Sequence, residues 1–489
     1  MFDIPASLRL SMKRTLAVLF AVTGLAACAV GPDFKSPARP SDRAYLPETA
    51  PAIGAVAPDE AAQHVALGQP LEGEWWMRLG SPEIDEIVRA TLANNWSLAA
   101  ARANVANARQ IVQAARGGLY PQIDAAGGIE KRAYGAYFLG PKAATFPTFS
   151  AYTGGVGVSY DLDVFGGTHR RIELAAADAE VQSEFLGAAK LAVTGAAVTT
   201  ALEIASARAR IAAVEDVIAS DQKTLDLVGT ARRIGVASEI DVTTAQSQLD
   251  HDKALLPSLR QELNVAQDAL AVLVGRSPAM WPAPALDLYK LTLPAELPLA
   301  VPSELVRTRP DIRAAEAQLH AANAQVGIAT ADLYPRITLN AAVAGEGVFG
   351  GPVGSAWSLV GGLTAPIFHG GSLTAQKRAA EDAYESAFAQ YQQTVLSAFQ
   401  QVADNLQGLA NAADEVRTEQ QALESANSAL GLVRLGYGAG NAGIVQILDA
   451  QRLQQLAELD LVAARARRYM LTVNLFLATG GGLDDARID

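Results

Sequence analysis

Two periodicities divide this chain. Short stretches alternate apolar and polar side chains with a period of two, and they separate very long stretches in which small and apolar residues recur at helical spacing. Val156, Val158, Tyr160, Leu162 and Val164 alternate with Gly157, Ser159, Asp161 and Asp163, which predicts a strand with one apolar and one polar face. Its partner is expected from about Gln122 to Glu130, with Ile123, Ala125 and Ile129 opposed to Asp124 and Glu130. A Gly/Pro/aromatic loop, from Tyr137 to Phe149, joins the two. A second hairpin repeats the plan. Ile337, Leu339, Ala341 and Val343 alternate with Thr338 and Asn340, Gly350, Gly351 and Pro352 make the turn, and Trp357, Leu359, Leu363 and Ile367 alternate with Ser358 and Thr364. Strands of about 9 to 12 residues cross a bilayer when tilted. Four strands cannot close a barrel, since natural membrane barrels begin at about eight and no strand edge survives unpaired in lipid, so several copies must share one.

After each hairpin comes an uninterrupted helical pattern, from about Thr168 to Ile234 and from about Ser372 to Tyr437. At 1.5 Å per residue each is on the order of 100 Å long. Glycine breaks them at Gly235 and Gly440. The return from Gly235 is interrupted by the Gly/Pro-rich stretch 275–302 and resumes from Ser303 to Leu333. Small residues on these helices, such as Ala196, Thr199 and Thr200, permit close approach and suit a hollow tube of antiparallel coiled coil better than a solid bundle.

The halves repeat each other. Tyr120-Pro121-Gln122-Ile123 returns as Tyr334-Pro335-Arg336-Ile337, Asp163 to Gly167 returns as Pro366 to Gly370, and Gly235 to Gln246 aligns with Gly440 to Gln451. The expected organisation is a signal peptide over 1–27, an extended segment over 28–80, and a first repeat over 81–274 containing a hairpin at 121–165. A linker over 275–302, a second repeat over 303–480 with its hairpin at 335–368, and a tail over 481–489 complete it.

Composition and charge then narrow the chemistry. The chain of 489 residues carries a net charge of −12, which disfavours nucleic acid because phosphate binding needs a basic face. Lys13 and Arg14 precede an apolar stretch, Leu16 to Ala27, too short to remain as a membrane helix, so a secretory signal is expected, with Met12 as an alternative start. No later run of about 18 consecutive apolar residues follows. Leu25-Ala26-Ala27-Cys28 resembles a bacterial lipobox, which makes Cys28, the only cysteine, a lipidation site. Ala29 after it, in place of aspartate, implies delivery to the outer membrane. The five histidines, His64, His169, His251, His320 and His369, show no metal-ligand spacing, and no phosphate-binding loop or catalytic constellation is present, so neither an enzyme nor a cofactor other than the lipid on Cys28 is expected.

Several motifs carry a family resemblance. Cys28-Ala29-Val30-Gly31-Pro32-Asp33-Phe34, Glu74-Trp75-Trp76, Ser81-Pro82-Glu83-Ile84, Asn94-Asn95 and Arg307-Thr308-Arg309-Pro310-Asp311-Ile312-Arg313-Ala314-Ala315-Glu316 resemble the TolC-type outer-membrane efflux factors, in their OprM/NodT-like lipoprotein branch. The resemblance spans essentially the whole chain. It implies an α+β fold: a trimeric 12-stranded β-barrel, four strands per chain, continuous with a long α-helical coiled-coil periplasmic tunnel. It implies partners too, a periplasmic adaptor and an inner-membrane RND pump besides outer-membrane lipid. The function implied is passive conduction of small toxic solutes. A duct for type I protein secretion and a periplasmic scaffold are the alternatives, and the lipobox with Pro310-Asp311-Ile312-Arg313 favours the first reading.

The turns Gly235-Val236-Ala237-Ser238 and Gly440-Asn441-Ala442-Gly443 are expected to dock the adaptor. Gly440 to Asp449 matches the family segment whose paired aspartates narrow the tunnel mouth; Gln446 stands at the first position and Asp449 at the second. Tyr437 and Asp241 are implied as a hydrogen-bonded pair holding the gate, while the arginine expected at Ala442 is missing.

Overall fold

The structure is a computed structural model that describes residues 29–47, 62–71, 73–133 and 148–482. Its elements in chain order begin with β1 (His64–Leu67), α1 (Pro82–Asn94), α2 (Trp96–Gly117), β2 (Gln122–Arg132) and β3 (Phe149–Asp161). The first long helix, α3 (Gly167–Arg233), is followed by α4 (Glu239–Lys253), α5 (Leu256–Leu273), β4 (Glu296–Leu299), α6 (Pro302–Thr308) and α7 (Pro310–Ala331). Then come β5 (Arg336–Val348), β6 (Val353–Thr364), the second long helix α8 (Ser372–Gly438), and α9 (Ile444–Ala478).

Local chemistry sets the boundaries. Ser81 accepts from the Ile84 N–H to start α1, with Pro82 in the first turn, where its missing N–H costs nothing. Asn95 ends α1, and its side-chain oxygen accepts from the N–H groups of Ser97 and Leu98 to start α2. Pro257 and Pro310 stand in the first turns of α5 and α7, at breaks that a proline ring enforces on a preceding helix.

The four long strands form one antiparallel sheet in the order β2-β3-β5-β6. Register aligns like with like. Ala125 pairs with Val156, Val156 with Val343, and Val343 with Trp357, while Asp124 pairs with Gly157, Gly157 with Ala342, and Ala342 with Ser358. One face is therefore apolar across all four strands, and the other carries small and polar side chains. Among the described residues both edges, β2 and β6, have a free side. The strands run to 11, 13, 13 and 12 residues. Leu162, Val164 and Ile367, expected inside strands, lie beyond their ends. The reason at the first end is Asp163, which turns into the left-handed region at φ 44° and caps α3, accepting from the Thr168 N–H at 2.7 Å and the His169 N–H at 3.0 Å. At the second, Pro366 has no N–H to continue a ladder.

The chain divides into two compact units that do not follow the sequence repeats. One comprises 1–37, 104–182 and 314–391, the other 38–103, 183–313 and 392–489, so each draws on both halves of the duplication. The first unit contains the four-stranded sheet. Aromatic side chains mark both ends of that sheet, with Phe165 stacked on Tyr334 at 4.7 Å and Tyr152 edge-on to Phe349 at 5.5 Å. Aromatic residues at both boundaries of an apolar band characterise membrane barrels.

In the second unit, His64–Leu67 pairs in parallel with Glu296–Leu299. These four-residue strands lie where only an extended segment and a linker were expected, and they are too short to show a periodicity. The core packs Trp75 against Phe476 at 5.7 Å, with Leu79, Ile84 and Ile87 fully enclosed. Buried Arg309 explains the Arg-Pro-Asp signature. Its guanidinium forks onto both carboxylate oxygens of Asp311 at 2.9 and 2.6 Å, and donates to Gln401 Oε1 at 2.9 Å and the Ala478 carbonyl at 2.8 Å, so it ties α7, α8 and the end of α9 together.

By length and composition alone, α3 is apolar enough over one 18-residue window to cross a membrane. Its 67 residues make it on the order of 100 Å long against a hydrocarbon thickness of about 30 Å. Part of its apolar content is buried within the single chain, 44% of that window, including Ala197, Ala201 and Ala205.

Candidate functional site

The two glycine turns share a Schellman C-cap, and in each the side chain at the third position of the returning helix bonds back to the backbone before it. At the end of α3, the Gly235 N–H donates to the Arg232 carbonyl at 2.9 Å and the Val236 N–H to the Ala231 carbonyl at 2.9 Å. At the end of α8, the Gly440 N–H donates to Tyr437 O at 3.0 Å and the Asn441 N–H to Gly436 O at 2.8 Å. This is the Schellman pattern, which needs a left-handed residue, and φ is +80° at Gly235 and +79° at Gly440. A Cβ at either glycine would meet open space, so backbone conformation alone selects glycine.

Each chain reversal is completed by a cap on the returning helix. Ser238 accepts from the Asp241 N–H at 3.2 Å, and Asp241 Oδ2 accepts from the Ser238 N–H at 2.8 Å and hydroxyl at 2.7 Å. These bonds, backbone first, hold the Asp241 carboxyl below its ordinary pKa. Gln446, the equivalent position, reaches back to the Gly443 N–H, and Gly443 has no side chain to return the bond. Behind the turns an apolar cluster joins Val228 of α3, Ala245 of α4, Leu430 of α8 and Ile444, Ile447, Leu448 and Ala450 of α9, with Ala237 and Tyr437 packed onto it.

The residues expected at a gate are placed differently from one another. Asp449 is exposed on α9, with Arg452 one turn on donating to it at 2.9 Å. Tyr437 is half-buried on the cluster, and among the described residues it makes no hydrogen bond to Asp241, whose carboxylate serves as the helix cap. Sequence reasoning missed a different feature of the turns, their exposed apolar rim. Ile234, Val236 and Ile240 are 72%, 76% and 77% exposed, and Leu432, Leu435 and Val445 are similarly open. An unbroken Ile-Gly-Val at a helix terminus was the available signal.

Cys28 lies outside the described residues, but the chain after it is held firmly. The Val30 N–H donates to the Phe165 carbonyl at 3.1 Å. Arg170, at the start of α3, is buried and donates to the carbonyls of Val30 and Gly31 and to Asp33 and Glu173. Asn323 donates to the Pro32 carbonyl at 3.0 Å, and Phe34 stacks on His320 at 4.4 Å. Gly31 is required here, because its φ is +94° and a Cβ would lie 2.7 Å from the Cα of Gly327. Ala29 and Val30 therefore lie at the point where β3 hands over to α3. Among the described residues there is no group of three or more His, Cys, Asp or Glu side chains placed to hold a metal ion.

Comparisons with known proteins bear on this geometry. A family model described as outer membrane efflux protein matches residues 87–276 and 301–481. The chain is 30% identical over 482 residues to outer membrane protein OprJ of Pseudomonas aeruginosa, covering 96% of each. Among solved structures, the outer-membrane channel OprN superposes with a TM-score of 0.82 at 26% identity, over 93% of this chain and 99% of that one. The open state of the MtrE outer membrane channel of Neisseria gonorrhoeae gives 0.77 at 26% identity, over 93% and 99%.

Proposed function

This chain belongs to the outer membrane efflux protein family and is an outer-membrane efflux channel, from which we propose that it works as a homotrimer, a passive exit duct of a tripartite RND-type system. The observation that carries the reading is the four-stranded sheet, apolar on one face, polar on the other, and unpaired at both edges. In lipid only closure satisfies those edges, and three copies give twelve strands. The apolar face then meets acyl chains and the small polar face lines the lumen. The duct performs no chemistry of its own; a periplasmic adaptor and an inner-membrane pump supply energy and selection of small toxic solutes. The two Schellman turns with their exposed apolar rim are the adaptor-docking surface, and Asp449 contributes three carboxylates to the tunnel mouth, where they attract cations.

In planar bilayers the purified full chain should give uniform cation-preferring conductance steps, and Asp449→Ala should move the reversal potential toward zero in a salt gradient. Absence of conductance steps overturns the duct; an unmoved reversal potential removes Asp449 from the mouth.

Acyl chains on Cys28 are the second membrane attachment, each buried methylene contributing about 0.8 kcal/mol. The clamp on residues 30–34 supports this reading, since it delivers the N-terminus to the base of the sheet. Cys28→Ser should abolish incorporation of labelled palmitate, and a wild-type mass equal to the unmodified chain refutes lipidation.

A further inference from the structure

One charged layer interrupts the apolar packing behind the turns. Asp221 of α3 and Asp252 of α4 are 2% and 1% exposed. Gln455 of α9 donates to Asp252 Oδ1 at 2.8 Å, and Gln248 of α4 donates to its other oxygen at 2.7 Å. Gln451 of α9 donates to Asp221 Oδ1 at 3.2 Å and to Ser220 Oγ at 3.1 Å, and its own oxygen accepts from Thr224 at 3.3 Å. Asp221 Oδ2 is fully buried, and among the described residues it accepts no hydrogen bond unless one of the two carboxyls carries a proton. The facing cation, Arg434 of α8, donates to Ser220 Oγ at 2.8 Å instead.

A buried carboxylate oxygen without a donor is costly, and two adjacent buried carboxylates cannot both stay ionised. A single proton resolves both problems, because a protonated carboxyl becomes a donor to its neighbour. We propose that Asp221 and Asp252 share one proton, and that the protonated pair is a latch pinning α3 and α4 to α9 just behind the two turns, so that the tunnel end is held shut at low pH and loosens as pH rises.

The electrostatics point the same way. Burial first, then the hydrogen bond and charge of Asp252, push Asp221 up to about 8, with Arg434 opposing. Among other charges on the packed helices, Glu458 of α9 is raised by burial and by Asp216 of α3, and Glu215 of α3 pairs with Arg260 of α5 at 3.2 Å, in the exposed layers beyond. The sign follows from linkage. The latched form keeps a proton that a hydrated, separated carboxyl releases near its ordinary value of 3.8. Between about 4 and 8 the latched state therefore loses ground by up to tenfold per pH unit; below that window its advantage is complete, and above it no more is lost.

The inference rests on the duct reading for its consequence but not for its chemistry, so two measurements separate them. Infrared spectra of the purified full-length trimer at pH 6 should contain the carbonyl band of a buried carboxylic acid, lost by pH 9 and absent at every pH in Asp221→Asn. Unitary conductance of the wild type should rise between pH 5 and pH 8, and Asp221→Asn, permanently neutral, should be flat over that range. Should Asp221→Asn not assemble, Asp252→Asn removes the hydrogen bond and charge that add to burial in raising Asp221, and should move both signals to lower pH. A wild type without the carboxylic band overturns the shared proton. A protein that conducts equally at pH 5 and pH 8 overturns the latch while leaving the duct intact.

Discussion

Trp357→Arg should prevent assembly of the trimer, whereas Ser358→Arg, one residue along the same strand, should leave it intact. The contrast follows from register. Trp357 continues the row Ala125, Val156, Val343 on the apolar face and is 81% exposed in the single chain, while Ser358 continues the row Asp124, Gly157, Ala342 on the polar face. An arginine facing lipid near the midplane costs about 2–4 kcal/mol per site, and a trimer carries three. The same arginine in a wet lumen lined by glycine, alanine and serine keeps its hydration. Outer-membrane fractions run unheated on gels read the outcome directly: a trimer band for Ser358→Arg and none for Trp357→Arg. A trimer band for Trp357→Arg and none for Ser358→Arg would mean that the faces have been assigned the wrong way round, and equal yields would mean that the apolar face does not meet lipid.

The second large effect is expected at the turns. Ala237 and Tyr437 pack against the buried cluster, so bulky changes there mix docking with stability. Val236, Ile240 and Val445 project outward and are cleaner probes. If the apolar rim seats the adaptor, an aspartate at Val236 and another at Val445 place unpaired charges in a desolvated contact. Losing one anchor of hot-spot size is about 2 kcal/mol, roughly 30-fold in affinity. Val236→Asp with Val445→Asp should therefore return a resistant strain to near the susceptibility of a deletion, with unchanged trimer levels and unchanged conductance in bilayers. Full resistance in that double variant would move docking elsewhere.

Much of this architecture is legible in the chain because it is repetitive and extended. A strand in a membrane sheet buries one face in lipid along its whole length, so Val156, Val158 and Tyr160 display their period with little tertiary interference. Helices of 67 residues average out local noise, and the glycines at 235 and 440 mark their ends because Schellman geometry admits few other residues. What was not legible depends on contacts between distant segments. The pairing of His64–Leu67 with Glu296–Leu299 joins stretches more than two hundred residues apart, each too short to declare itself. The Asp221–Asp252 layer looks, in sequence, like two carboxylates among many on polar helix faces; only packing buries them together. The capping role of Asp241 was legible too, since Ser-x-x-Asp at the start of a helix spells a capping box, whereas the gate role came only from the resemblance.

The open edges of β2 and β6 also govern how this protein can come into being. A lone chain cannot hold its sheet in lipid, because each edge would leave a row of backbone groups without partners. Membrane insertion is therefore a collective event whose rate depends steeply on local subunit concentration, and the stability of the barrel is inseparable from that concentration. Any second signal that gathers subunits at the membrane surface before closure raises the concentration that matters. Residues 30–34 are seated firmly beside the strand ends, so a lipid on Cys28, if attached as proposed above, would act where such gathering counts most. By the same logic a chain with one defective edge would cap a growing sheet and spoil the two sound partners it meets, so that in an equal mixture only roughly one trimer in eight would escape it.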